Sequence, residues 1–377
     1  MMSKTLGVGV IGCGNISATY LRLAPLFRGI EIKAVSAIDM DLAKKRAIEF
    51  GVMAQTAKEL LANPDIAIAV NLTVPAVHYK ISKQILEAGK HVYSEKPLTL
   101  SLAEAKDLQN LAERKKLKVA CAPDTFLGGS HQQARKAIDD WLIGKVTSGT
   151  AHMMGHGMEH WHPNPDFFYK PGGGPMLDMG PYYLTNLINL LGPVKRVAAL
   201  SGIACKSRLI SSEPRKGQKI SVKTPTSYHA LLEFTSGAQV TLSTSWDVFA
   251  HAHGNMELYG TGGAMMVPDP NWFGGEVLVA GADTVVKPLG AWDHPLGAVN
   301  DIAHGNNANY RTVGLADMAD GIMNKRDIRC GIERPLHVVE IMTAIMKSGE
   351  TGKFVTLKSA CTRPKAFGVK EAKALMK

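Results

Sequence analysis

The chain has 377 residues, enough for two or three domains and an ample core. Its 43 Lys and Arg against 33 Asp and Glu give a formal charge of +10, but the basic residues are dispersed, their densest clusters (44–46 and 114–118) lie on or beside expected helices, and no nucleic-acid motif occurs. No apolar run reaches transmembrane length, no signal-peptide core is expected at the N-terminus, and five cysteines without a CxxC pair fit reduced thiols and a cytoplasmic setting.

Residues 6–11 read as a buried strand, apolar and glycine-rich without a charge. Gly12, Cys13, Gly14, Asn15, Ile16 and Ser17 follow as G-x-G-x-x-S. Gly12 permits the tight turn, Gly14 lets backbone approach a pyrophosphate, and Ser17 is small enough for close strand–helix packing. The free N–H groups of the following helix, beginning at Asn15 and Ile16, suit a phosphate. Residues 30–38 form the next strand, ending at Asp39, placed to bind the adenosine ribose hydroxyls and repel a 2′-phosphate. This favours NAD over NADP. Asp39 or Asp41 could instead cap a helix starting near Leu42, and Asp41 suits that role.

Alternating units continue: strand 66–72, helix 77–88, strand 91–94, helix 101–115 opened by a Ser101–Glu104 capping box, and strand 118–122. Such alternation implies a parallel, doubly wound sheet that binds ligands beyond the carboxyl ends of its strands. Thr73, Pro75, Glu95 and Lys96 stand at those ends.

The second half opens with the irregular, Pro-rich run 158–174, which crowds His160, Trp161, His162, Asp166, Phe168 and Tyr169 together. Aromatic faces among polar groups suit a carbohydrate; the same segment could equally be a domain-crossing loop pinned by aromatics. His-x-His alone does not make a zinc site, and no metal is expected. Residues 176–191 read as one helix, with Asp178 and Tyr182 four apart on a shared face or at its entry. Residues 194–205, 226–234, 238–246 and 255–260 alternate as strands, with a hairpin turn at Ser236 and Gly237. Asp247, His251 and His253 follow a strand end and read as surface or interface. Asp269, Asn271, His304 and Asn306 are loop residues without a role. Helices are expected at 313–323 and 335–346, the former packing back near the nucleotide domain.

The runs AGKHVYSEKPL (88–98), NLTVPAVH (71–78), GGGPMLDMGPYYL (172–184) and ELYGTGGAMMVPDPN (257–271) together resemble the Gfo/Idh/MocA oxidoreductases over nearly the whole chain. The resemblance implies an α/β Rossmann domain with a doubly wound parallel sheet (residues 1–125). An α+β domain with a large, mostly antiparallel sheet would follow (126–377), serving substrate binding and oligomerisation. It implies an NAD-dependent oxidoreductase acting on a secondary hydroxyl of a sugar, glycoside or cyclitol, and a homodimer or homotetramer. Cofactor contacts would come from Gly12, Gly14, Asn15, Ile16, Asp39, Thr73, Pro75, His78, Glu95, Lys96 and Pro97, the last often after a cis bond. Lys96 would hold the reacting hydroxyl, with Asp178 and Tyr182 as catalytic partners and His160, Trp161 and His162 as further substrate contacts. An ammonium beside the hydroxyl stabilises developing alkoxide charge.

The family pattern is Asp-x-x-x-His, and this chain has Tyr182 in the histidine's place. A phenol is a poor base at neutral pH unless a cation such as Lys96 lowers its pKa. The alternatives are that Tyr182 only orients substrate while Lys96 or another histidine moves the proton, with His160 or His162 able to replace the missing one, or that catalysis is weak or absent. Two other functions stay open: a lyase or glycosidase with transient redox cycling on retained NAD, and a non-catalytic sensor of NAD or sugar.

Overall fold

The structure, a computed structural model, describes residues 5–302 and 305–377. It divides into two compact units. The first comprises residues 1–129, 293–339 and 364–377, and the second residues 130–292 and 340–363.

In the first unit six strands lie in the order β3-β2-β1-β4-β5-β6 and all pair in parallel. They are β1 (Leu6–Ile11), β2 (Ile30–Ser36), β3 (Met53–Ala54), β4 (Ile68–Asn71), β5 (His91–Ser94) and β6 (Val119–Cys121). Helices α1 (Asn15–Leu23), α2 (Met40–Phe50), α3 (Ala57–Ala62), α4 (His78–Glu87) and α5 (Leu102–Lys115) connect them. Apolar β-branched strands flanked by helices on both faces dictate this doubly wound arrangement, with β1 and β4 at the point where the strand order reverses.

The elements largely follow the expected spans, and the differences lie at the caps. Helix α2 starts at Met40, and its cap is Asp39, which accepts from the Asp41 and Leu42 N–H groups, so Asp41 lies inside the first turn. Ser101 accepts from the Glu104 N–H, but the reciprocal Glu104 bond of a capping box is not made. The full box sits at Thr56 and Glu59, ahead of α3.

Helix α6 (Gly129–Asp139) opens the second unit from its second residue on, and that unit holds a nine-stranded sheet in the order β16-β15-β14-β13-β7-β12-β11-β8-β17. Its strands are β7 (Val146–Met154), β8 (Val194–Gly202), β11 (Ser227–Phe234), β12 (Gln239–Ser245), β13 (Met256–Gly260), β14 (Gly263–Val267), β15 (Leu278–Ala280), β16 (Lys287–Pro288) and β17 (Val355–Thr356). Only β12 and β7 pair in parallel; every other pairing in it is antiparallel. A separate hairpin pairs β9 (Ser207–Leu209) with β10 (Lys219–Ser221).

The helix expected over 176–191 is two helices: α7 (Pro175–Asp178) and α8 (Gly180–Leu191). Pro181 has no N–H to donate back into the preceding turn, so the chain breaks at Met179 and restarts. Asp178 therefore ends one helix while Tyr182 lies in the first turn of the next, and the four-residue spacing does not align them on one helical face.

The remaining helices are α9 (Val313–Met323), α10 (Glu333–Thr351), longer at both ends than expected, and α11 (Val369–Leu375). Helix α9 packs on β6 and β2 inside the first unit. Among the described residues no helix is long and apolar enough to cross a membrane, and all five cysteines are free thiols.

Candidate active site

In the first unit the candidate residues gather where the parallel strands end. Gly12 follows β1 with a φ of +110°, and a Cβ there would stand 2.6 Å from the Leu72 carbonyl. Both facts require glycine. Gly14 is the N-cap of α1, and no side chain caps the helix. A Cβ on Gly14 would meet nothing within 4 Å, so space is open beside the first turn of α1, which begins at Asn15 and Ile16. That cradle fits a dinucleotide pyrophosphate. Ser17 is buried, its hydroxyl donating to the Gly14 carbonyl at 2.6 Å.

Asp39 spends one oxygen, Oδ1, on capping α2 at 3.0 and 3.3 Å. The carboxylate is exposed, so Oδ2 can still meet a ribose hydroxyl. Capping and ribose binding are therefore compatible at this residue.

After β4 and β5 two turns are tied together. Asn71 Oδ1 accepts from the Thr73 N–H and hydroxyl, while its Nδ2 donates to the His78 carbonyl and the Ser82 hydroxyl. His78 is 1% exposed. Its Nδ1 lies 2.7 Å from the Pro97 carbonyl and its Nε2 2.9 Å from that of Thr73. The ring thus stitches the turn bearing Thr73 and Pro75 to the turn bearing Lys96 and Pro97, and presents no edge to solvent. Glu95 is engaged at both oxygens, accepting from the Tyr20 hydroxyl at 2.8 Å and the Lys96 N–H at 2.9 Å. The Lys96–Pro97 bond is cis.

After β6 lies a buried residue that the sequence reading did not single out. Asp124, after β6, is 1% exposed and accepts from the Thr312 and Gly314 N–H groups at the start of α9. Burial pushes its carboxyl up to about 6 against the pull of those two bonds and of Arg311, with Glu95 adding to the rise.

In the second unit Asp178 is half-buried and Tyr182 buried. His160 is exposed, its ring 5.9 Å from that of His156. His162 stands edge-on to Trp161, Phe167 and Phe168 at centroid distances of 5.3, 5.4 and 5.3 Å. Its Nδ1 accepts the Asn164 N–H at 3.0 Å. The neutral ring therefore carries its proton on Nε2, making it a hydrogen-bond donor. Burial holds its pKa below the usual histidine value, with the Asp178 carboxylate opposing that fall.

Asp247, expected at the surface or an interface, is half-buried and accepts from Arg208, Thr226 and Ser227. His253 stacks on His152 at 4.2 Å and His251 on His253 at 6.0 Å. Asp269 accepts from the Asn271 N–H. His304 lies outside the described residues. Among the described residues no three His, Cys, Asp or Glu side chains gather as a metal site.

The strand order, the glycine turn and the Glu95-Lys96-Pro97 turn define an NAD-binding Rossmann oxidoreductase. The chain belongs to the Gfo/Idh/MocA family: residues 6–122 match the oxidoreductase family with an NAD-binding Rossmann fold, and residues 131–266 match the GFO/IDH/MocA C-terminal domain. An uncharacterized oxidoreductase of Schizosaccharomyces pombe is 32% identical over 177 residues, 44% of this chain and 47% of that protein. The dTDP-3,4-didehydro-2,6-dideoxy-alpha-D-glucose 3-reductase of Saccharopolyspora spinosa is 30% identical over 226 residues, 56% of this chain and 66% of the reductase. The chain spans about half the length of the curated relatives it matches. The solved levoglucosan dehydrogenase in complex with NADH and L-sorbose shares the fold, with a TM-score of 0.80 and 21% identity over 94% of this chain and 100% of that one.

Proposed function

We propose that this oxidoreductase transfers a hydride between NAD and a secondary hydroxyl of a sugar, glycoside or cyclitol. The observation that carries the reading is the Glu95-Lys96-Pro97 turn. It leaves β5 at the carboxyl edge of the sheet, buttressed by Tyr20 and His78, on the edge where the glycine turn opens. Two relatives support the substrate class: one is named for a dTDP-sugar reduction, and the other is solved with NADH and L-sorbose.

Gly12, Gly14, Asn15, Ile16, Asp39, Thr73, Pro75, Glu95 and Pro97 would hold NAD, which when bound supplies a hydride acceptor at its nicotinamide. His78 serves that site by fixing two of its turns. Lys96 receives the reacting hydroxyl. Its ammonium stabilises the alkoxide that forms as the proton leaves. Asp178 orients the substrate. Tyr182 stands where the family has histidine and takes part in proton handling. His162, with Nδ1 committed to Asn164, donates from Nε2 to a substrate oxygen and is poorly set up as the base. We further propose a homodimer or homotetramer formed through the open sheet face, where Leu200 and Leu231 are exposed on the neighbouring strands β8 and β11.

The test mixes the protein with NAD and a panel of monosaccharides, glycosides, inositols and sugar phosphates, following NADH absorbance. A substrate-dependent rise that Lys96→Ala cuts by about 100-fold or more is expected. A genuine substrate that Lys96→Ala turns over at the full rate would remove Lys96 from the chemistry.

A further inference from the structure

Strands β8 and β11 are antiparallel neighbours in which Gly202 faces Ser227. A turn of about two to five residues normally closes such a pair, yet residues 203–226 intervene. That excursion carries the β9–β10 hairpin, and the hairpin has its own core. Ile210, Ile220 and Val222 close on Tyr169 and Trp246, with Met158 and Phe168 at the margin. Tyr169 and its neighbours belong to the segment 156–170, expected to be irregular from 158 on but forming a 3-10 helix over Pro165–Tyr169. An excursion that buries itself against that segment is built to hold it.

The bonds show what is held. The Ser211 and Ser212 N–H groups donate to the Glu159 carbonyl at 2.9 and 3.2 Å. The Ser212 hydroxyl donates to the His162 carbonyl at 2.7 Å, with the Glu159 carbonyl as a second acceptor at 3.2 Å. One hairpin residue thus grips the carbonyls on both sides of His160, Trp161 and His162.

Arg208 adds a second tie. Its Nη1 donates to the Glu159 carboxylate at 2.7 Å and to the His156 carbonyl at 3.2 Å. Its Nη2 donates to the Trp246 carbonyl at 3.0 Å and pairs with Asp247. Arg215 pairs with Asp166, and the Lys223 N–H reaches the Tyr169 carbonyl at 2.8 Å. Amid these anchors Trp161 and Phe167 stay 56% and 48% exposed. Large aromatic faces left open on a backbone fixed at so many points form a surface whose ordering cost is already met before a ligand arrives.

We infer that the 203–226 excursion sets substrate specificity, with Ser212 and Arg208 as positioning residues that hold His160, Trp161 and His162 as a rigid wall for the ring of a polyol. This rests on the functional reading above. That wall offers an indole face to the C–H face of a ring and the His162 Nε2–H to one of its hydroxyls.

The experiment compares wild type, Ser212→Ala, Ser212→Thr and Trp161→Ala, using the polyol best turned over in the NADH panel. Amide hydrogen exchange across residues 156–170 is measured beside KM, kcat and NAD affinity. Loss of the Ser212 hydroxyl is expected to lower protection of the segment by about tenfold and to raise the polyol KM about three- to tenfold. kcat should change less, NAD affinity should stay put, and Ser212→Thr should restore both readouts.

Unchanged exchange in Ser212→Ala overturns the inference while leaving the functional reading intact. So does a loosened segment with an unchanged KM when Trp161→Ala raises KM. A panel without any substrate, or a Trp161→Ala enzyme with unaltered KM, sinks the reading of this loop as a substrate site and the inference with it.

Discussion

Asp124→Asn gives a test of the first unit that needs no substrate. The carboxyl is buried after β6 at the start of α9, and its pKa rises from 3.8 to about 6 on folding, chiefly through desolvation. Well below pH 3.8 the folded and unfolded chains both carry the proton, and its ionisation imposes no cost. As pH rises towards 6 the unfolded chain releases its proton while the folded one retains it, so stability falls. Past pH 6 the folded carboxylate ionises too and the loss levels off. A displacement of about two pKa units corresponds to about 3 kcal/mol at 1.36 kcal/mol per unit. Asparagine has the same shape, and its oxygen can accept from Thr312 and Gly314 as Asp124 Oδ2 does, but it does not titrate. Between pH 4 and 8 the variant should therefore gain about 2–3 kcal/mol relative to wild type. For a unit of this size that moves the gap between their thermal midpoints by about 5–10 °C. Calorimetric melts of both proteins at each pH would show it, and carboxylates elsewhere cancel in the difference. A wild-type–variant gap that stays flat across this range would refute the account of Asp124 as a carboxyl held at a desolvation cost.

Three further outcomes are expected. Gly12→Ala should weaken NAD binding, and destabilise the protein, because its Cβ would meet the Leu72 carbonyl at 2.6 Å on a backbone with a φ of +110°; calorimetric titration with NAD and a melt check both. His78→Ala should cost about 1–3 kcal/mol of stability by leaving the buried Pro97 carbonyl and the part-buried Thr73 carbonyl without the ring, and NAD affinity should fall as the turns it ties loosen, read by urea unfolding and NAD titration. Asp39→Ala should lose about 1 kcal/mol as a helix cap, weaken NAD about tenfold or more, and narrow the preference over NADP; equal affinities in variant and wild type for both cofactors would remove the ribose assignment.

Much of the first unit was legible because its signals are local. A strand, a glycine turn and a helix lie consecutively in residues 6–23, and each step has its own chemistry in the residue types. The ends of β5 and α9 coincide with the expected spans for the same reason. Where reading failed locally, a neighbour decided. Pro181 cut the helix that the apolar period of 176–191 implied, because periodicity does not register a missing N–H. Asp39 took the cap from Asp41 because its backbone is still extended where the helix begins.

What remained hidden is the pairing of residues far apart in sequence. Asp124 caps a helix 188 residues downstream, and Glu159 meets Arg208 across 49 residues. Nothing in the composition around Arg208 marks it out from other basic residues. The one available hint was negative: the connection between two alternating segments is far longer than an antiparallel pair requires. Length in excess of topology proved a better pointer to the loop's organisation than any motif within it. The crowded run of His160, Trp161 and His162 shows why. Residue types alone left a sugar wall and a pinned crossing loop equally open, and in the structure the segment is pinned while Trp161 and Phe167 stay exposed. The two readings are compatible: the wall proposed above would have to be held from behind, and the residues that hold this segment come from another part of the chain.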